Sequence, residues 1–429
     1  MLTVHNPASG TAGELDLAEV QGGSFRVTKR IDSVDLLRGI VMVIMALDHT
    51  RDFLTYLRFP PEDTSQTYGV LFFTRWITHF CAPTFFFLAG TGAFLSASRG
   101  KPISGLSTFL WKRGLWFMLL EVTLIAFAWS FVPVLPLGLV IWQLGLCMVC
   151  MAAIVRLPLP WIAIFGIATV ALHNTLDTLT PAAFGKLGWI WHLVHQPGMI
   201  QVAEYKGQPV GFFSMYVLVP WVGVMAAGYA FGAVLRKPTE QRRRLLLLMG
   251  GTMTMLFVVL RLANWYGNPP AETTFIPWAA GPFHPQATLE ATLISFFNVT
   301  KYPPSLQFLL MTLGPAIMAL AWFDRFNFKS LAGRFGEKLL VFGRVPFFFY
   351  VLHLFAIHLF AIVAALAYHQ PVKWLLWGGF LLNPMPSGYG HSLPFIYAAW
   401  ILIVFALYFP CKWFADVKQR RRDWWLSYM

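Results

Sequence analysis

The sequence predicts an all-α, polytopic transmembrane bundle of about ten spanning helices with both termini in the cytoplasm. Three observations carry the prediction. Hydrophobic residues fill 57% of the 429 positions and charged residues only 12%, about half the share a soluble domain carries. Apolar stretches long enough to span a bilayer recur along the chain. Most of the 32 lysines and arginines fall in alternate connections, which distributes the net charge of +13 by membrane side. In a soluble chain such a charge would point to nucleic acid; its placement here excludes that partner.

Residues 1–25 are polar and weakly acidic, lack the apolar core of a signal peptide, and read as a flexible cytoplasmic tail. Residues 26–429 read as one transmembrane domain, with no internal repeat or dividing linker. The spans are placed at 33–57, 74–98, 107–130, 136–156, 158–177, 210–235, 243–266, 302–323, 338–367 and 392–414. With the amino terminus in the cytoplasm, Lys29, Arg30, Arg99, Lys101, Arg236, Lys237 and the run Arg242–Arg244 fall on the inner side. Such runs anchor to anionic membrane lipid. Arg58, Arg75, Lys186, Lys206, Lys301 and Lys373 fall outside. The outer face carries two sizeable loops, 178–209 and 267–301, and long loops on a rigid scaffold are where recognition residues gather. Trp374–Leu382 is apolar but too short to span and is expected at the outer interface.

Polar groups at membrane depth are costly, so each one asks for a role. Arg38 and His49 are eleven residues apart in the first span, which places them on one helical stripe with a rise of ~16 Å. Asp52, three residues after His49, is spaced to meet the imidazole and form a general-base pair; Asp48 is expected to point elsewhere. The plainer alternative is an interfacial histidine beside a solvated carboxylate. His79 enters the second span at a depth similar to His49, and Glu121 sits near the middle of the third, where it needs a cation or a wet cavity. Gln143 and Arg261 lie in the outer halves of their spans, and Lys301 opens the segment KYPPS. In the ninth span Arg344 and His358 share nearly one stripe, and His353 faces away from it unless Pro346 kinks the helix. Together these residues predict a polar chamber in the outer half, with arginines on the inner half placed to meet an anion.

No metal site is expected. His353 and His358 diverge by about 140° on a helix, and His192 and His195 lie in a loop with no nearby carboxylate in sequence. Cys147 and Cys150 have redox spacing without a second pair, and with Cys81 and Cys411 they read as packing residues.

The segment RIDSVDLLRGIVMVIMALDH resembles the opening of bacterial relatives of the heparan-α-glucosaminide N-acetyltransferase family, and its arginine, ten residues, histidine pattern is similar to the acyltransferase-3 motif. The blocks FCAPTFFFLAGTGAFL, VIWQLG, YVLVPWVGVMAAGYAFG, KYPPSLQFLLMTLGP, GRVPFFFYVLHL and CKWFADVKQRRRDWWLSY extend the resemblance over nearly the whole chain. It implies an integral membrane acyltransferase, expected in the bacterial cytoplasmic membrane. Such an enzyme takes an acyl group, acetyl in the first instance, from cytosolic acyl-CoA to a hydroxyl or amine of a glycan-type acceptor at the outer face. Acyl-CoA is then a co-substrate, and no tightly bound cofactor is expected. His49 matches the histidine and Arg38 the arginine of the motif, while Leu57–Thr74, where the heparan enzyme carries its histidine, has none. On this reading His49, Asp52 and His79 are the candidate catalytic residues. Arg38, Arg344, Glu121, Gln143, Arg261, Lys301, His353 and His358 are the candidate binding residues. A transporter or flippase with the same polar chamber remains the competing reading, and homo-oligomerisation stays open.

Overall fold

The structure, a computed structural model, describes residues 31–205, 207–269, 280–325, 331–421 and 423–428, all within one compact unit, Ile31–Met429. The tail expected over 1–25 lies outside the described residues. In chain order the helices are α1 (Asp32–Leu54), α2 (Gly69–Thr78), α3 (Cys81–Ala97), α4 (Ile103–Leu120), α5 (Ala126–Ser130), α6 (Val140–Ile154), α7 (Leu159–Leu172), α8 (Gly188–Val194), α9 (Leu218–Leu235) and α10 (Thr239–Ala263). They continue with α11 (Leu289–Phe297), α12 (Leu306–Phe323), α13 (Leu331–Arg344), α14 (Pro346–Ala367), α15 (Lys373–Leu376), α16 (Gly379–Leu382) and α17 (Leu393–Arg420).

The fold is a polytopic helical bundle. Among the described residues, eight helices are long and apolar enough to cross a membrane. Each of the ten expected spans corresponds to helix. The two outside the eight are α1, which carries too much charge, and α6, which has 15 residues. A π-helical turn, Glu121–Ile125, joins α4 to α5.

Two boundaries differ from expectation for backbone reasons. The chain breaks at Val345, and Pro346 starts α14 instead of kinking one long span over 338–367. Proline suits a first helical position because the N–H it lacks has no intrahelical partner there. The apolar run from 210 begins as strand, and α9 starts only at Leu218. The connections carry a three-stranded sheet that hydropathy did not announce. Strand β1 (Leu137–Gly138) pairs in parallel with β3 (Gln208–Ser214), and β3 pairs antiparallel with β2 (Gly198–Tyr205). Apolar residues such as Phe212 and Phe213 made this strand look like the start of a span.

Glycines set the closest helix approaches. A Cβ on Gly90 of α3 would lie 1.9 Å from the Met225 carbonyl of α9, and one on Gly228 of α9 would lie 2.0 Å from the Phe87 carbonyl. Between α1 and α13, Gly39 faces the Leu339 carbonyl at 2.0 Å and Gly343 faces the Asp35 carbonyl at 1.9 Å in the same sense. Close approach through small residues is the usual means by which helices associate where lipid removes the hydrophobic drive. We therefore expect Gly90→Val to destabilise the protein in detergent by about 1–3 kcal/mol or more. Gly92→Val, where an added Cβ meets nothing within 4 Å, should leave the thermal midpoint nearly unchanged. Equal effects of the two substitutions would show that the α3–α9 contact does not limit stability.

Candidate functional site

The site grows from α1. Its first turn carries Asp32 and Asp35, favourably placed at a helix amino terminus, and its carboxy-terminal half carries Asp48, His49, Arg51 and Asp52. His49 Nδ1 lies 2.7 Å from His353 Nε2 on α14, with the ring planes 21° apart. His353 Nδ1 is 3.0 Å from the Phe349 carbonyl. A carbonyl only accepts, so His353 Nδ1 holds the proton and its Nε2 is an acceptor in the neutral ring. His49 Nδ1 must then donate, which leaves His49 Nε2 with a bare lone pair. That nitrogen has no hydrogen-bond partner among the described residues. Trp129 closes one side of the His49 ring edge-on, with centroids 4.7 Å apart.

Asp52 does not serve His49. Its carboxylate accepts from Arg51 at 2.6 Å, because an adjacent guanidinium outcompetes a neutral imidazole for an anion. The partner of His49 is His353, and the reason for misplacing it is the break at Val345. Arg344 and His353 belong to different helices, so an angle counted along one continuous helix does not apply.

Asp48, expected to point away, is the hub of an ion network. It forms an ion pair with Arg51 at 2.8 Å and accepts a hydrogen bond from Arg75 of α2. Arg75 also donates to Glu62 at 2.6 Å, and Glu62 lies 3.7 Å from His79 Nε2. Three carboxylates (Asp48, Asp52, Glu62) thus meet two guanidiniums, with Lys301 within electrostatic reach of Asp48, His49 and His79. His79 is 1% exposed, and neither ring nitrogen has a hydrogen-bond partner among the described residues. Beside this network opens a cavity of about 700 Å³ lined by Arg51, Asp52, Glu62, Arg75, His79 and Lys301, among others. Lys301 Nζ lies over the Tyr302 ring, 5.2 Å from its centroid.

Of the residues expected to share a polar chamber, Asp52, His79 and Lys301 line this cavity, and several others are elsewhere. One Glu121 carboxylate oxygen accepts from the backbone N–H groups of Ile141 (2.7 Å) and Trp142 (2.9 Å), so it caps the amino terminus of α6. The helix end supplies the positive partner that a buried carboxylate requires. Arg261 does the converse. Its guanidinium donates to the carbonyls of Gly281 (3.2 Å), Ser295 (2.6 Å), Phe296 (2.9 Å) and Asn298 (2.8 Å), closing the carboxy-terminal end of α11. His358 is clamped between the carbonyls of Ala128 (2.9 Å) and Leu375 (2.8 Å), away from the cavity. Gln143 is fully buried on α6 with its amide against Cys147 Sγ at 3.4 Å. At the far end of α1, Arg38 pairs with Asp35 at 3.0 Å and with the Gly343 carbonyl at 3.3 Å, yet its side chain keeps 19% exposure. Arg344 approaches Asp32 at 4.0 Å, and Arg113 of α4 lies within electrostatic reach of Arg38.

Sequence reasoning missed Asp48, Arg51, Glu62 and Arg75. The three-residue spacing of Asp48 and Arg51 was a readable signal; the loop residue Glu62 gave none. His195, expected without a carboxylate, meets Asp177 at 2.9 Å. Among the described residues no group of three or more His, Cys, Asp or Glu could hold a metal ion.

Residues 30–263, more than half of the chain, match the family described as heparan-alpha-glucosaminide N-acetyltransferase, catalytic. The chain belongs to that family. It is an integral membrane protein of a membrane acetyltransferase family. The match contains Arg38, His49, Glu62, Arg75 and His79; Lys301 and His353 come from beyond it. No curated protein matches the chain.

Glu62 lies outside the spanning helices, and its ionisation is tied to this network. Burial pushes its carboxyl up, but the Arg75 guanidinium, with His79 close by, outweighs that and holds it well below the ordinary 4.5. A depressed folded value contributes stability above the unfolded value, and that stability is lost as pH falls through the folded one. Glu62→Gln should therefore cost roughly 1.5–3 kcal/mol at pH 6, as for a lost charge-assisted hydrogen bond. The gap to the parent protein should shrink as the pH is lowered towards 3. Thermal midpoints across that range would reveal a constant gap if Glu62 were not ionised in the fold.

Proposed function

We propose that the protein is an acyl-CoA-dependent acyltransferase with two ends. It takes an acyl group, acetyl in the first instance, from cytosolic acyl-CoA at the Arg38 end of α1. It delivers that group to a hydroxyl or amine of a glycan-type acceptor in the 700 Å³ cavity at the other end, on the outer face of a bacterial cytoplasmic membrane. The carrying observation is the His49–His353 pair, whose neutral tautomers leave His49 Nε2 free to take a proton. Arg51 and Asp52, on the next turn of the same helix, line the cavity. Family membership favours transfer over the competing reading of a transporter or flippase.

In the proposed reaction, His49 Nε2 removes the proton from the acceptor as its oxygen or nitrogen attacks the thioester carbonyl. The imidazolium that forms keeps its Nδ1–H on His353 Nε2, a neutral acceptor that holds the ring in its orientation. The thiolate of coenzyme A leaves and regains the proton from His49, giving an ester or amide and free thiol. A covalent route, with the acyl group resting on His49, uses the same lone pair. The cations Arg38, Arg113 and Arg344 supply a phosphate-binding end, because guanidinium forks match phosphate oxygens. The positive-inside distribution of the sequence supports a cytoplasmic position for that end. An extended pantetheine arm has a reach comparable to the ~16 Å rise between Arg38 and His49.

The test is transfer of radiolabelled acetyl from acetyl-CoA to an envelope glycan extract by purified protein in lipid. We expect His49→Ala to lower turnover by 10²–10⁴-fold while the protein stays folded. His353→Ala should lower turnover as well, with unchanged KM for the donor. More than about a tenth of parental turnover in His49→Ala would rule out His49 as the base. Arg38→Lys should raise the KM for acyl-CoA and leave that for the acceptor alone, since charge is kept but the bidentate fork is lost. Unchanged acyl-CoA affinity in both Arg38→Lys and Arg38→Ala would restrict Arg38 to holding Asp35 and α13.

A further inference from the structure

The room available to an acyl group is set by what surrounds His49. An acceptor atom must come within about 2.6–3.2 Å of His49 Nε2 to lose its proton. The thioester carbonyl that it attacks lies about 3–3.5 Å further on. The acyl chain therefore begins within a few ångströms of the imidazole, and the walls around that ring bound its length. His353 takes the Nδ1 edge at 2.7 Å. Trp129 stands across the ring, with 4.7 Å between centroids and 71° between planes, and Tyr350 closes in at 6.4 Å. The His49 side chain is still only partly covered, so the space beside it is narrow and not filled.

Trp129 reaches that position through a break in helical phase. A π-helical turn holds one residue more than an α turn, so Glu121–Ile125 rotates α5 by about 100° from the course of α4. Such turns are rare and frequently mark functional sites. This one is fixed at its start by the Glu121 cap on α6. Beyond it, the Ser130 carbonyl accepts from the Gly378 N–H at 2.7 Å, and the Ala128 carbonyl meets His358 Nδ1 at 2.9 Å. The indole itself is buried and backed by a pile of rings. Phe53 lies parallel to it at 10° and 5.4 Å, His358 is 4.8 Å from Phe53, and Phe131 is 4.0 Å from His358. Phe53 and His358 are fully buried, and a core packed in this way yields little to an inserted methylene. Trp129 is thus a fixed wall.

We propose that Trp129 sets the length of the acyl chain: it ends the acyl pocket beside His49, admits an acetyl group and excludes chains of about four carbons or more. The inference rests on the acyl-CoA reading of the site and assigns its donor specificity to one side chain. One methylene too many in a hydrophobic pocket discriminates by about 10–200-fold, so a single rigid indole is enough for such a limit. A smaller residue at position 129 lengthens the pocket towards Phe53, which becomes the next wall.

The experiment measures calorimetric binding of S-alkyl coenzyme A thioethers, from ethyl to hexyl, to the purified full chain in lipid, with protein-free lipid as the blank. A thioether keeps the arm and chain of the donor but has no carbonyl to attack, so binding is read without turnover. In the parental protein we expect affinity to fall about tenfold or more between ethyl and butyl. Trp129→Ala should bind the butyl and hexyl thioethers about tenfold or more tighter than the parental protein does, with Trp129→Phe between the two. Structural damage would weaken every chain length together, so a gain confined to long chains separates a pocket wall from a residue that only supports the fold. Affinity that does not fall with chain length in the parental protein would overturn the proposal, as would an unchanged length limit in both variants. Either result leaves the acyl-CoA reading standing, whereas failure of every thioether to bind the parental protein overturns that reading and the proposal together. If Trp129→Ala does not fold, Trp129→Phe decides.

Discussion

A charge inside a membrane-spanning bundle must be neutralised within a few ångströms, and the structure follows from how each ionisable group meets that constraint. Helix α1 carries six charged residues and is among the more buried elements. It is tolerable because Asp35 takes Arg38, Asp48 takes Arg51 and Arg75, and Asp52 takes Arg51. These pairs fix α2 and the Glu62 loop against the end of α1, and the cavity beside them is bounded by the same side chains. The glycine contacts of α1 with α13 bring Arg38 to the Gly343 carbonyl at the opposite end.

The same constraint separates residues that maintain the fold from residues available for chemistry. Glu121 and Arg261 looked functional because each is an isolated charge in an apolar stretch. Both meet helix termini, whose partial charges of about half an electron supply the missing partner. His358 is held by two carbonyls. His49 and His79 differ from these. His49 is oriented by one hydrogen bond and keeps its second nitrogen unpartnered among the described residues, and His79 is buried with both nitrogens unpartnered and lines the cavity. Oriented but incompletely satisfied groups next to a cavity are where chemistry is most economically sought.

Much of the architecture was legible in the sequence, because spanning length and hydropathy act locally. The ten expected spans correspond to helices, and the Arg38–His49 stripe lies along one continuous helix. What could not be read depends on contacts between distant segments. The pairing of His49 with His353 crosses some three hundred residues, and the proline that starts α14 concealed it by resetting the helical phase. Glu62 belongs to a loop with no periodicity. The sheet of β1, β2 and β3 escaped notice because its apolar side chains merge with the next span. Spacing rules also ranked Asp52 above Asp48, since both lie near His49 in sequence and only the position of Arg75 decides between them.

The account turns on which nitrogen of His49 bears the proton. Nitrogen-15 NMR of the histidine-labelled protein in lipid, assigned by comparison with His49→Asn and His353→Asn, reads this directly. The hydrogen bonds predict a neutral His49 protonated at Nδ1, coupled to a neutral His353 also protonated at Nδ1, with Nε2 of His49 bare near neutral pH. A neutral His49 protonated at Nε2, with Nδ1 bare, would contradict it, because the lone pair would then face His353 and no base would be available for an acceptor.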